Sequence, residues 1–281
     1  MKMSKQILVT ALMLINMIAF GQQKSSSSNS SPAKPKERIV DIYTTAGVVR
    51  VKLYNETPLH RDNFIKLVKQ QFYDSLLFHR VIKEFMIQTG DPTTKNAPDT
   101  IMLGWGDNGY TIPAEISKNI WHKRGALAMA RTQNPEKASS GCQFYIVQGR
   151  KYSIKELETM INNINAQKKV QLFQKIMESD SVKNRMDDFT LRGDSEGLTK
   201  YMEQLQPAID SIYEPMFFDP PPGYVSTYNM DGGTPLLDRE YTVFGEVIGG
   251  MQIIDKIALE AVDKNFRPKE NIRILKMVLL N

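Results

Sequence analysis

Residues Phe78 to Asp91, reading Phe-His-Arg-Val-Ile-Lys-Glu-Phe-Met-Ile-Gln-Thr-Gly-Asp, constrain this chain more than any other stretch. The run alternates like two short strands joined by a turn, and Gly90-Asp91-Pro92 stops it. Alternation puts Phe78, Arg80 and Ile82 on one face of the first strand. Met86 and Gln88 share a face of the second, with Phe85 and Ile87 opposite. A lone arginine in such a segment reads as a surface residue whose head reaches water along an apolar stem. Here the pattern is longer, because Arg80, Phe85, Met86 and Gln88 fall within nine positions. They supply a charged fork, two apolar walls and an amide that can converge on one concave face.

The totals exclude several alternatives. At 281 residues the chain can bury a sizeable core in one large domain or two. Its net charge of +5, from 36 basic and 31 acidic residues, is dispersed, and no Lys/Arg block interleaves with aromatics as nucleic-acid binding would require. The sole cysteine, Cys142, rules out an internal disulfide and any Cys-based zinc site. The three histidines, His60, His79 and His122, lack His-x-x-x-His spacing, so no metal site is expected. Cys142 and His79 form a nucleophilic pair only if the thiol is electropositively placed. It sits in an apolar strand instead and reads as a buried structural thiol.

The amino terminus looks like an address. Lys2 and Lys5 precede an apolar run from Ile7 to Phe20, and Ala19-Phe20-Gly21 offers small residues for cleavage. The run is short for a bilayer span, so residues 1–21 are expected to be a secretory signal, an uncleaved anchor being the alternative. Export to a bacterial periplasm or cell envelope, or secretion, follows, with no stable membrane insertion after cleavage. Residues 22–37 have the Ser/Pro/Lys composition of a flexible tether.

Folded structure is expected from Ile39. Ile39 to Thr44 and Val48 to Tyr54 are β-rich, with Ala46-Gly47 between them as a hairpin signal. Thr57-Pro58 opens a helix, threonine as N-cap and proline at the first helical position, and Phe64, Leu67 and Val68 recur at helical spacing. The glycine-rich loop Leu103 to Tyr110 formally contains Gly-x-Gly-x-x-Gly, but Ile112-Pro113 follows where a dinucleotide site needs a helix, so no nucleotide cofactor is expected. Gly125 to Arg131 and Gly141 to Val147 are two further strands flanking a polar loop.

The run Phe78 to Asp91 closely resembles the central motif of the cyclophilin peptidyl-prolyl isomerases. Gly125 to Arg131 and Gly141 to Val147 resemble the second and third signatures, and Thr234 to Val247 resembles a later segment of the same family. The resemblance covers roughly 39–150 and 232–281. It implies a mainly β fold: a closed antiparallel eight-stranded barrel over 38–150 and 232–281, with two capping helices. The strand Ile272 to Leu279 would pair with the first to close it.

By the same resemblance, Arg80 is the catalytic group, and Phe85, Met86, Tyr145 and Leu237 hold a proline ring. Gln88 and Gln143 orient the peptide backbone, Ala130 and Arg131 present backbone to it, and Tyr241 stands where many relatives carry histidine. Arg131 replaces a frequent asparagine and Tyr145 a frequent phenylalanine; Leu236 stands where cyclosporin-sensitive members carry tryptophan. The implied activity is rotation of X–Pro bonds in proline-containing exported polypeptides, without metal or cofactor. The alternative is a peptide-binding, chaperone-like module that keeps the cleft with little catalysis.

Between Gln148 and Thr234 the chain departs from the family pattern. Ser153-Ile154-Lys155-Glu156 is a capping box. Apolar residues then recur at helical spacing from Leu157 to Ile164, from Leu172 to Met177 and from Leu198 to Tyr213. An inserted α-helical subdomain is expected within 151–231, its helices in 151–218, leaving by a Pro/Gly-rich exit around Pro220-Pro221-Pro222-Gly223 and Gly232-Gly233.

Overall fold

The computed structural model describes residues 38–98 and 101–280, so the expected signal segment and tether lie outside the described residues. The first hairpin joins β1 (Arg38–Thr44) to β2 (Gly47–Leu53). Thr44 Oγ1 accepts from the backbone N–H groups of Ala46 and Gly47, both at 3.1 Å, and holds the turn.

Helix α1 (Pro58–Lys69) follows with proline in its first turn. Thr57 occupies the N-cap position, but its side chain makes no capping bond. A distant carboxylate does that work: Glu115 accepts from the N–H of Leu59 (3.0 Å) and of His60 (2.9 Å). A negative group at a helix N-terminus satisfies orphan donors and opposes the positive end of the dipole.

Strands β3 (Arg80–Ile82) and β4 (Met86–Thr89) form the second hairpin, pairing Arg80 with Gln88 and Ile82 with Met86. Then come β5 (Thr111–Ile112), β6 (Ala126–Met129), β7 (Ser139–Ser140) and β8 (Phe144–Val147). Helices α2 (Ile154–Met177), α3 (Asp180–Leu191), α4 (Ser195–Tyr213) and α5 (Tyr224–Met230) precede β9 (Val243–Gly249), α6 (Met251–Ala258) and β10 (Ile274–Leu280). No described helix is long and apolar enough to cross a membrane.

Eight strands form one antiparallel sheet in the order β10-β1-β2-β9-β6-β8-β4-β3. The last strand does pair with the first, from Ile39↔Leu280 to Thr44↔Ile274. The expected closure does not occur. Among the described residues no strand ladder joins β10 to β3, so the sheet is a curled, open half-barrel with a single bridge, Leu77↔Arg273, between its edges. The reason lies in the segment before β3: Leu76 to His79 is irregular, and isolated backbone bonds such as Phe78 N–H to Ile272 O (2.9 Å) replace a regular ladder.

The pleat sends alternate side chains of β4, β6 and β8 to two layers. Ile87, Leu127, Met129, Phe144 and Ile146 enter the main core with α1 and α6, where Phe64 lies 5.3 Å from the rings of Tyr73, Phe144 and Phe244. Met86, Ala126, Ala128, Tyr145 and Val147 face the other way and pack with Phe85, Leu237 and Tyr241. Phe85 joins that second layer although alternation puts it opposite Met86. It belongs to the turn that follows Glu84 (φ +61°), not to the strand, so the period of two does not bind it. Phe78, likewise ahead of β3, packs into the main core instead of sharing a face with Arg80.

The helical segment begins with both halves of the capping box: Ser153 Oγ accepts from Glu156 N–H, and the Glu156 carboxylate accepts from Ser153 N–H at 2.7 Å. A third apolar cluster, Tyr152, Leu157, Phe218, Tyr224 and Tyr228 packed with Trp121, roots these helices against the sheet domain. The exit is more ordered than its Pro/Gly content suggests, since it contains α5 and buries Phe218. Gly233, at φ +148°, lets the returning chain pass where a Cβ would lie 2.4 Å from the His122 carbonyl oxygen.

Candidate active site

Nine of the ten sequence-predicted site residues line one cavity of about 120 Å³: Arg80, Phe85, Met86, Gln88, Ala130, Arg131, Tyr145, Leu237 and Tyr241. The hairpin β3–β4 contributes one wall, β8 and the end of β6 the base, and the 3-10 turn Pro235–Leu237 with the following loop the opposite wall. A cavity of ~150 Å³ holds a benzene molecule, so this space suits one small ring. Gln143, the tenth residue, lines the adjoining cavity of about 510 Å³ and meets residues of the first through its side-chain bond from Gln88 and its backbone bond from Ala130 N–H (2.9 Å).

Arg80 is half-buried. Its Nη1 donates to Gln88 Oε1 at 3.3 Å and lies 3.8 Å from Met86 Sδ. Gln88 Nε2 in turn donates to Gln143 Oε1 (2.9 Å), and Gln143 Nε2 donates to the carbonyl oxygens of Gly104 (3.0 Å) and Gly106 (2.7 Å). This relay fixes the amide orientations and aims the guanidinium along the cavity wall. Burial draws the Arg80 pKa down and Tyr241 opposes the shift, but a guanidinium stays charged. Among the described residues no carboxylate lies in salt-bridge range of Arg80, so its charge is uncompensated.

Arg131 is placed differently. Its Nε donates to the Glu240 carbonyl (2.8 Å), its Nη2 to the Glu240 carboxylate (3.1 Å), and its guanidinium stacks 4.8 Å over the Tyr241 ring. Its cation is therefore spent on Glu240 and on Tyr241, which it holds edge-on to Tyr145 (5.9 Å, 85°).

The glycine-rich loop borders both sides of this relay. Asp91 anchors it by accepting from Gly104 N–H (2.6 Å) and Thr93 N–H (2.8 Å). Burial pushes the Asp91 pKa up; the bonds from Thr93, Gly104 and Gly106 outweigh burial and hold the carboxyl below its ordinary value. Gly90, at φ +95°, permits the approach to β8 behind it, where a Cβ would lie 2.3 Å from the Cys142 carbonyl oxygen. Cys142 itself is buried, and burial pushes its thiol up to about 11, so it is no thiolate at neutral pH. His79 is buried and held down to about 4 by desolvation, and neither ring nitrogen has a hydrogen-bond partner.

Sequence reasoning missed a polar network behind the aromatic wall. Tyr145 Oη meets His122 Nε2 at 3.0 Å, and His122 Nδ1 meets Asp238 Oδ1 at 2.9 Å. The carboxylate places the ring proton on Nδ1, leaving Nε2 to accept from the tyrosine hydroxyl. Asp238 also accepts from His122 N–H (2.7 Å) and, on Oδ2, from the hydroxyls of Tyr224 (2.8 Å) and Tyr228 (2.6 Å). No spacing rule links His122 to an aspartate 116 positions away. The signal was chemical: a histidine beside a strand start, and a phenol where an apolar ring would do.

An apolar ring-sized slot on the outer face of a curled eight-stranded half-barrel, with an unpaired arginine on its rim, is the architecture of a cyclophilin, and the comparisons agree. The family described as "Cyclophilin type peptidyl-prolyl cis-trans isomerase/CLD" matches residues 39–194 and 224–279, and the chain belongs to it. It is an isomerase by class. The match runs beyond 39–150 into α2 and α3.

Among its relatives, a Streptococcus pyogenes protein named for both a phosphatase and a peptidyl-prolyl cis-trans isomerase is 30% identical over 240 residues, 84% of this chain and 37% of the relative. A Staphylococcus aureus protein named for the same isomerase is 30% identical over 236 residues, 84% of this chain and 88% of the relative. The crystal structure of a Cryptosporidium parvum cyclophilin type peptidyl-prolyl cis-trans isomerase shares the fold at a TM-score of 0.53 and 20% identity. It covers 88% of this chain and 99% of that one.

Proposed function

We propose that the chain catalyses rotation about X–Pro bonds in exported polypeptides and so assists their folding. The observation that carries this reading is Arg80, half-buried, charged and free of any described carboxylate, on the wall of a ring-sized aromatic cavity.

An X–Pro bond resists rotation by about 18–20 kcal/mol because the nitrogen lone pair is conjugated with the carbonyl. Its cis and trans forms differ by only about 0.5–1 kcal/mol, so the reaction is slow and not uphill. Catalysis needs neither nucleophile nor base, only tighter binding of the twisted amide than of either planar form. In the twisted state the proline nitrogen becomes pyramidal and accepts a hydrogen bond. Arg80 is placed to donate it, with a rigid fork already oriented by Gln88. Phe85, Met86, Tyr145 and Leu237 hold the ring still, so rotation occurs on the acyl side. Gln88 and Gln143 orient the neighbouring backbone. Stabilisation by about 4–7 kcal/mol corresponds to roughly 10³–10⁵ in rate, within reach of one charged donor and fixed positioning.

Proline-containing polypeptides as substrates are supported by the family and by the structural neighbour, which has also been crystallised in the presence of the dipeptide Ala-Pro. Export rests on Lys2, Lys5 and the apolar run to Phe20. A protease-coupled assay on a chromogenic proline tetrapeptide tests the catalytic reading: turnover is expected, and tight peptide binding without turnover would leave only the chaperone-like alternative. Appearance of the chain in the envelope fraction of a bacterial host tests export.

A further inference from the structure

The 3-10 turn Pro235–Leu237 separates two cavities. Leu237 lines the ring-sized cavity with Arg80, while its neighbour Leu236, 65% exposed, lines a groove of about 590 Å³ against α2. On the α2 side the groove is one helical stripe. Met160 and Ile164, four residues apart, supply an apolar floor, and Asn163 and Gln167, also four apart, supply a rim of amides. Charge is confined to one end, where Arg150 and Glu156 pair at 3.1 Å beside Lys155.

We propose that this groove is a second subsite that takes the apolar polypeptide segment flanking the substrate proline, so that α2 extends the cleft toward long unfolded substrates. The inference rests on the proline-pocket reading above. Three features select this occupant. Consecutive residues of one turn, Leu236 and Leu237, line the two cavities, so a chain leaving the ring cavity over Leu236 enters the groove. Asn163 and Gln167 each carry a donor and an acceptor, which match a backbone N–H and C=O. The floor of Met160 and Ile164 and the facing Leu236 take apolar side chains without selecting one shape, as polarizable, unbranched methionine allows.

An extended chain advances about 3.3–3.6 Å per residue, so crossing the turn and filling the groove takes roughly five to eight residues beyond the proline. A tetrapeptide is too short to use it.

The test compares a chromogenic tetrapeptide with a peptide of about twelve residues, one central X–Pro bond and leucine-rich flanks. Asn163→Glu with Gln167→Glu places two carboxylates on the exposed rim. Leu236→Ser removes the opposite wall. Each variant is expected to lower kcat/KM about tenfold on the long peptide and to leave the tetrapeptide within about twofold, with unchanged helix content. Equal losses on both peptides, or no loss on the long one, would overturn the proposal. So would a rim variant whose only effect is altered self-association, because the groove would then hold a second copy. Binding of the fluorescently labelled long peptide, measured by anisotropy, separates the two readings. If wild type turns over neither peptide, the catalytic reading fails. The groove still stands if the rim and wall variants weaken that binding about tenfold, and falls if they do not.

Discussion

The Tyr145 hydroxyl and His122 Nε2 meet at 3.0 Å behind the cavity, which makes one wall of the site the near end of a buried chain that reaches α5 through Asp238. The aromatic wall and the helical segment are thus held by one carboxylate.

Asp238→Ala removes the acceptor for His122 N–H, His122 Nδ1 and two tyrosine hydroxyls at once. Each buried donor left without its acceptor costs about 1–3 kcal/mol, and several are left here. Urea unfolding is expected to show a loss of that order, while Tyr145→Phe, which removes one hydroxyl and keeps the ring, costs about 1 kcal/mol. An Asp238→Ala variant as stable as the parent would dissolve the network.

Arg80→Ala should lower kcat/KM on the proline tetrapeptide about 10²–10³-fold, the usual effect of deleting a donor to developing charge. The side chain has a hydrogen bond of modest length to Gln88, a weak one to Met86 Sδ, and no ion pair among described residues, so stability should change by less than about 1 kcal/mol. Arg80→Lys keeps charge without the fork and should fall between the two. Retained turnover in Arg80→Ala means another group supplies the bond.

His79 makes stability pH-dependent. Burial holds its folded pKa near 4, below the ordinary 6.5, with Arg80 adding to the shift and Asp91 and the nearby Leu77 backbone opposing it. Between those values the unfolded chain binds a proton that the folded chain refuses. Stability is therefore full above about pH 6.5 and declines toward pH 4, by roughly 3 kcal/mol from this one group. Burial lowers His60 too, in the same sense. His79→Leu, replacing a ring whose nitrogens have no partners, should flatten the urea-midpoint slope between pH 6.5 and 4; an unchanged slope would assign the effect elsewhere.

Leu236 stands where cyclosporin-sensitive relatives carry tryptophan, and it is 65% exposed with no indole to offer a donor. Inhibition by cyclosporin is expected only at micromolar concentrations or above; nanomolar inhibition refutes this reading of the residue.

Local signals read well because the structure obeys them locally. Ser153 and Glu156 form both halves of the capping box, and the apolar periodicity after Leu157 continues as one helix, α2, to Met177. Arg80 and Gln88 share a face because they pair across a two-strand ladder. What was illegible depends on distant partners. Thr57 looks like a cap, yet Glu115, 55 positions beyond His60, does the capping. The closed barrel failed for a similar reason: pairing of β10 with β1 is written in the strand pattern, whereas the irregular path of Leu76 to His79 is not. Phe85 reached the site through a turn residue at φ +61°, a conformation that alternation cannot express.

The unladdered seam between the two edges has a consequence for when the enzyme becomes competent. Strand β3, which carries Arg80, has β4 on one side only, and on the other it leans on Val81 N–H to Phe266 O (2.8 Å) and, just before it, on Phe78 N–H to Ile272 O (2.9 Å). Residues 266–272 leave the ribosome long after Arg80 does. A nascent chain can therefore assemble most of the sheet while its arginine hangs from a half-supported ribbon, and docking of residues 266–272 is the event that arms it.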